Sequence, residues 1–328
     1  MRGDHFSKLG HAANYLIAFS AIVCLNFLLP RLMPGDPLQA IYGDEALLGM
    51  TPEFKAELVR RFSLDQPLVR QFGSYLLALV RGDLGHSYYY RAPVLKVVLG
   101  ALPWTLLLAG LAMVFSTLAG VLLGIESGWR RSRPGDQAML AAFMCLSGFP
   151  DFFMGMLLLL VFGVAWGVLP LAGAVTPYAS LAGPALVADV LQHLALPLAA
   201  LSLVHLSGSY LLTRNTMITT LGESFILTAR AKGLSDAVVR YRHAGRNALL
   251  PAVTQAGIGA GRVFTGALFV EVVFSYPGVG GLIHTALLAR DYPLLQGILL
   301  MVAVAVLLAN YLVDMAYVKL DPRVNHAH

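Results

Sequence analysis

The chain has 328 residues, 57% of them hydrophobic and 12% charged, where an ordinary soluble domain has roughly 45–50% and about 25%. So few charged side chains cannot clothe a globule of this size, and a mean hydropathy of +0.70 points to apolar surface buried in lipid, which all but excludes a soluble enzyme. The formal charge of +5 fits membrane-flanking loops, because the basic residues lie without the interleaved aromatic platform that nucleic acids need.

A bilayer core of about 30 Å takes roughly 20 apolar residues as a helix, and six runs come close to or exceed this length. They cover residues 12–29, 97–125, 138–166 (interrupted by Asp151), 190–213, 249–273 (with Arg262 inside and Glu271 towards its far end) and 294–318 (with Asp314 near its end). The first ends in Leu29-Pro30-Arg31 without a small-x-small cleavage site, as an uncleaved anchor does. Between the first two runs, Thr51-Pro52-Glu53 opens a helical pattern through Arg61. Gln66-Pro67 opens another, with Leu68, Phe72, Tyr75, Leu76 and Leu79 at helical spacing, so residues 31–96 are expected to form a partly folded external cap.

Orientation follows from the short loops, where positive residues resist translocation. Arg2 and Lys8, then Arg130, Arg131 and Arg133, then six basic residues from Arg214 to Arg246, then Lys319 and Arg323 all fall on one side. The opposite short loops hold only Arg290, so both termini are expected in the cytoplasm. The eight basic residues in 31–96 do not overturn this, since a loop longer than about 60 residues crosses largely regardless of charge. Cys24 and Cys145 lie inside apolar runs and read as small core residues. Gly120 with Gly124, and Gly257 with Gly261, have the four-residue spacing that lets membrane helices approach closely.

No lysine follows a glycine, so a phosphate-binding loop is missing. His-Glu-x-x-His, Gly-x-Ser-x-Gly and filter-like carbonyl motifs are missing as well. The chain therefore reads as a transport subunit without catalytic residues, cofactor or metal site, and any ATP would be hydrolysed by a partner. His193, His205 and His284 sit on separate segments without ligand spacing and read as isolated polar side chains.

The loop 214–248 is the most informative stretch. Its first part suits a short helix stopped at Gly233, where glycine takes the left-handed cap conformation. Ser235 then caps a second helix running through Arg240, Arg242, His243, Arg246 and Asn247 to Leu250-Pro251. Two readings fit: an amphipathic helix on anionic headgroups, or a docking helix for a soluble partner.

Thr228-Ala-Arg-Ala-Lys-Gly-Leu234 followed by Arg246-Asn-Ala-Leu-Leu-Pro251 resembles the coupling loop of inner-membrane permease subunits of ABC importers, in particular the dipeptide/oligopeptide/nickel permease family. Met33-Pro-Gly-Asp-Pro37, Leu64-Asp-Gln-Pro-Leu68, Gly82-Asp-Leu-Gly85, Phe274-Ser-Tyr-Pro-Gly-Val-Gly280 and Leu320-Asp-Pro-Arg323 match in the same order. The resemblance implies an all-α membrane protein with six transmembrane helices in the type I ABC importer permease fold. It also implies import of short peptides, with nickel or a metal chelate as the alternative. The implied partners are a second permease subunit, two ATPase subunits that carry ATP and Mg²⁺, and an extracytoplasmic substrate-binding protein, all at a bacterial or archaeal inner membrane. Thr228, Ala229, Arg230, Ala231, Lys232, Gly233 and Leu234 would be the ATPase contact, with Arg230 and Lys232 facing acidic groups on the partner. The acidic residue of the broader superfamily motif is replaced by Thr228.

Asp151 and Arg262, deep in their runs, each cost roughly 2.5–3.5 kcal/mol to insert and should face a cavity or a partner. They pair with each other, or line the translocation path with Arg262 meeting a peptide carboxylate and Asp151 its amino group, or Asp151 is solvated near the interface. Glu271, beside Tyr276-Pro277, is a candidate for the outer end of the path, or part of a turn that ends the helix.

Overall fold

The computed structural model describes residues 15–28, 49–53, 55, 57 and 66–320, and for 309, 310 and 312–320 the backbone alone. Met33–Pro37, most of the helix expected from Thr51 to Arg61, and the C-terminal Asp321-Pro-Arg323 lie outside the described residues. The chain divides into two compact units, residues 1–102 with 281–308, and 103–280 with 309–328.

The first unit holds α1 (Tyr15–Leu28), α2 (Leu68–Val80), a hairpin of β1 (His86–Ser87) and β2 (Ala92–Pro93), and the opening turns of α3 (Val94–Trp129). Pro67 immediately precedes α2, as the Gln66-Pro67 signal predicts. In the hairpin His86 stands opposite Pro93 and Ser87 opposite Ala92. Two polar clamps organise the unit. The Asn26 side chain donates to the Gln296 carbonyl at 2.9 Å, and the Gln296 amide returns a bond to the Asn26 carbonyl at 3.0 Å. Asp291, fully buried, accepts from Ser87 Oγ at 2.5 Å, from the Tyr89 amide at 3.0 Å and from the Leu294 amide at 3.1 Å. A buried carboxylate is tolerated only with such a set of donors.

The second unit holds the rest of α3, α4 (Pro134–Leu146), and α5 (Asp151–Leu158) with a π-helical extension Leu159–Ala165. It continues with α6 (Pro184–Thr220), α7 (Ser224–Ala231), and α8 (Arg246–Val273), which continues a π-helical stretch Val238–Gly245. Two further helices, α9 (Val279–Leu288) and α10 (Tyr292–Leu320), follow in sequence, and their residues 281–308 belong to the first unit. Val94–Trp129, Pro184–Thr220 and Val238–Val273 are long and apolar enough to cross a membrane, and a fourth crossing results if the bent pair of α4 and α5 counts as one. Tyr15–Leu28 and Tyr292–Leu308 are shorter apolar helices.

The run 138–166 is not one straight helix: α4 and Asp151–Ala165 meet at 106°. The break falls at Ser147-Gly148-Phe149-Pro150, where Pro150 lacks an amide and pushes Phe149 out of the helical region. Gly120, Gly124 and Gly128 seat α3 against α6. A β-carbon on Gly120 would lie 2.6 Å from Ser209 Cβ, and one on Gly124 2.7 Å from Thr213 Cβ. The close approach expected at Gly120 and Gly124 is thus made within this chain. Cys24 and Cys145, in contrast, are exposed rather than core residues, because hydropathy cannot tell a lipid-facing side of a span from a packed one.

Candidate functional site

The segment Ser224–Ala231 is a helix because Ile226 and Ala229 recur at helical spacing on one side. Ile226, 0% exposed, and Ala229 enter a core with Val121, Ile125, Met217, Val239, Ala244, Ala248 and Ala252. Gly233 takes φ of +73°. Its amide bonds to the Arg230 carbonyl at 2.9 Å, and the Leu234 amide reaches the Ala229 carbonyl at 3.4 Å. This is a Schellman ending, for which glycine has no β-carbon penalty. The opposite face is open: Phe225 and Leu234 are exposed, Leu227 is 64% exposed, and Thr228, Ala231 and Lys232 stand beside them.

The end of α3 grips this segment. Arg240 lies 4.8 Å over the Trp129 ring and donates to Glu126 at 2.7 Å, while Glu126 also pairs with Arg130 at 2.6 Å. Arg230 stands 5.5 Å over the same Trp129 ring, so its guanidinium is held within the chain while its helix remains exposed. A charged group over indole is worth about 0.5–1 kcal/mol at such exposed positions.

A second polar cluster, which the sequence reading does not anticipate, joins α3, α4 and α6. Asp136 accepts two bonds from Arg214, Nε at 2.6 Å and Nη2 at 2.8 Å, one from Ser127 Oγ at 2.5 Å and one from the Ser132 amide at 2.9 Å. Ser127 also shares a hydrogen bond of 2.7 Å with the Tyr210 hydroxyl. Asp136 and Arg214 are 78 positions apart, so no local spacing signals the pair.

A cavity of about 270 Å³ opens in the same unit. Its polar lining includes Ser116, Ser147, His205, Ser209, Gln255 and Arg262. Asp151 stands at the first turn of α5, just past the bend, with Oδ1 3.5 Å from His205 Nε2. Among the described residues Asp151 stands against His205 and forms no ion pair with Arg262, so of the three readings the direct Asp151–Arg262 pair is not the arrangement found, and His205 is not isolated. Gly266 lets α8 approach Asp151, since a β-carbon there would lie 2.5 Å from Oδ2. Arg262 is exposed to the cavity without an ion pair among the described residues. Small polar residues inside apolar runs were the available signal for this lining, but they carry no spacing rule.

Glu271 is elsewhere. At 0% exposure it accepts from the Gly280 amide at 2.7 Å and packs directly on Gly278, while Thr105 Oγ1 accepts from the Val279 amide at 2.8 Å. It pins the Phe274–Gly280 turn and does not line the cavity. His193 bonds to the Asp189 carbonyl at 2.9 Å, and no group of three or more His, Cys, Asp or Glu suited to a metal occurs among the described residues.

A chain of long apolar helices, with an exposed helix stapled to their ends and a polar cavity between them, has the organisation of a membrane transport subunit. Residues 116–326 match the family of binding-protein-dependent transport system inner membrane components, and the chain belongs to that family of ABC permeases. It is similar to the dipeptide transport system permease protein of Escherichia coli strain K12, 34% identical over 325 residues, covering 94% of this chain and 95% of that protein. The di/tripeptide transport system permease protein of Pseudomonas aeruginosa strain UCBPP-PA14 is 34% identical over 324 residues, with the same coverage of 94% and 95%. The glutathione transport system permease protein of Salmonella choleraesuis strain SC-B67 is 34% identical over 306 residues, covering 93% and 94%.

Proposed function

We propose that the chain forms half of the membrane path of an ATP-driven importer of short peptides. It crosses the inner membrane six times with both termini in the cytoplasm, and residues 31–96 cap the outer side. A second, related permease subunit completes the path. An extracytoplasmic binding protein delivers the solute, and two ATPase subunits holding ATP and Mg²⁺ drive the cycle. The substrates in the relatives' names, dipeptide, di/tripeptide and glutathione, favour peptides over nickel.

The observation that carries this reading is α7. One face is anchored by Ile226 and Ala229, and the other offers Phe225, Leu227, Thr228 and Leu234 outward up to the Gly233 turn. An ATPase seated on that face would move a rigid element. The Trp129, Glu126 and Arg240 contacts would deliver the displacement to α3 and α8 before the loop could absorb it. Asp151 and Arg262 would border the path, and Glu271 would set the turn at its outer end.

Leu227→Glu tests it, because Leu227 is exposed and its change leaves the core intact. The variant should assemble with its partner permease but lose co-purification of the ATPase subunits. Retained ATPase binding together with normal uptake would contradict the reading.

A further inference from the structure

Arg262 poses a physical problem. It lies within the 28-residue helix α8, where an unpaired cation is costly unless water or an anion meets it. Among the described residues no carboxylate does. Its cavity is walled by hydrogen-bonding groups on three other segments: Ser116 of α3, Ser147 at the end of α4, and His205 and Ser209 of α6, with Gln255 about two turns earlier on α8. Helices that merely pack need no such lining. One further group points the same way: His205 Nε2, in the lining of the cavity, is buried without a hydrogen-bond partner.

We infer that this cavity is a solute subsite that takes a carboxylate, with Arg262 as its cationic anchor and Gln255 and Ser209 as supplementary donors. Arginine suits the role because its planar fork presents paired N–H donors to the two carboxylate oxygens. The cavity of about 270 Å³ admits the end of a peptide and not a folded segment. The inference rests on the proposed peptide function and adds a chemical selectivity that the permease exerts independently of any binding protein. The site would be weak, since a transport path must release what it binds.

The test uses the assembled complex in nanodiscs without binding protein or ATP. Saturation-transfer NMR reads millimolar Ala-Ala and, separately, Ala-Ala amide, which lacks the carboxylate. Wild type should bind Ala-Ala at least ten-fold better than the amide; Arg262→Gln should bring both to the amide level, with Arg262→Lys between. Gly259→Leu provides a second route, because a β-carbon at this lining position meets nothing within 4 Å; filling the space should abolish the Ala-Ala signal without disturbing the fold. Equal binding of both peptides, or no change in Arg262→Gln and Gly259→Leu, overturns the inference. So does failure of Arg262→Gln to assemble with the partner permease while Gly259→Leu still binds, which would assign Arg262 to subunit packing. A complex that imports peptides yet shows no carboxylate preference refutes the subsite alone; one that imports no peptide refutes the function on which it rests.

Discussion

Arg240 donates a hydrogen bond of 2.7 Å to Glu126 across 114 positions of sequence, tying the base of the last long helix of its unit to the end of α3. The bond is charge-assisted and half-sheltered, a class worth about 1.5–3 kcal/mol. Glu126→Gln should leave folding largely intact but loosen the lever. The expected outcome is ATP hydrolysis near the wild-type rate with several-fold less peptide taken up per ATP. Parallel measurement of phosphate release and uptake checks it, and an unchanged ratio would show that the bond carries no motion.

The α3–α6 seam should be intolerant of volume. Gly120→Val and Gly124→Val would drive a β-carbon to 2.6 or 2.7 Å from the facing side chains, and overpacking of this kind costs about 1–3 kcal/mol or more. Gly110→Ala on the same helix meets open space and should be neutral. Thermal unfolding in detergent should separate the two classes.

Asp136 holds Arg214 at the end of α6. Asp136→Ala would leave a guanidinium sheltered without its partner, and breaking a buried pair costs about 3–5 kcal/mol. Folded yield should fall sharply, and Asp136→Asn, which preserves shape and two of the acceptor contacts, should fall less. Expression with fluorescence-detected size exclusion measures both.

Gly233 isolates backbone from side-chain effects, because φ is +73° and a β-carbon would touch nothing within 4 Å. Asparagine visits this conformation readily and β-branched residues do not. Gly233→Asn should therefore keep most uptake and Gly233→Val lose most of it. Equal activity of the two would mean that the turn is dispensable.

Local signals were readable along the chain. The Gly233 cap, the Gln66-Pro67 helix start, and the Gly120 and Gly124 spacing each depend on neighbours within a turn or two, and each appears in the fold. The bend at Ser147–Pro150 was not read, because averaged hydropathy records how apolar a run is and not its direction. Asp136 with Arg214, Asp291 with Ser87, and Asp151 with His205 escaped for another reason. Their partners are joined only by the packing of helices distant in sequence, so the pairs have no spacing to detect. Cys24 and Cys145 show the same limit: an apolar run does not tell which of its sides meets lipid.

The most direct test of the account is ATP-dependent uptake of a labelled dipeptide by proteoliposomes holding this chain, its partner permease, the ATPase subunits and the binding protein, with Leu227→Glu alongside. Uptake that requires ATP and binding protein, and that vanishes in Leu227→Glu while the two permease subunits still assemble, is the predicted result. Uptake that is independent of ATP, or undiminished in Leu227→Glu, would contradict it.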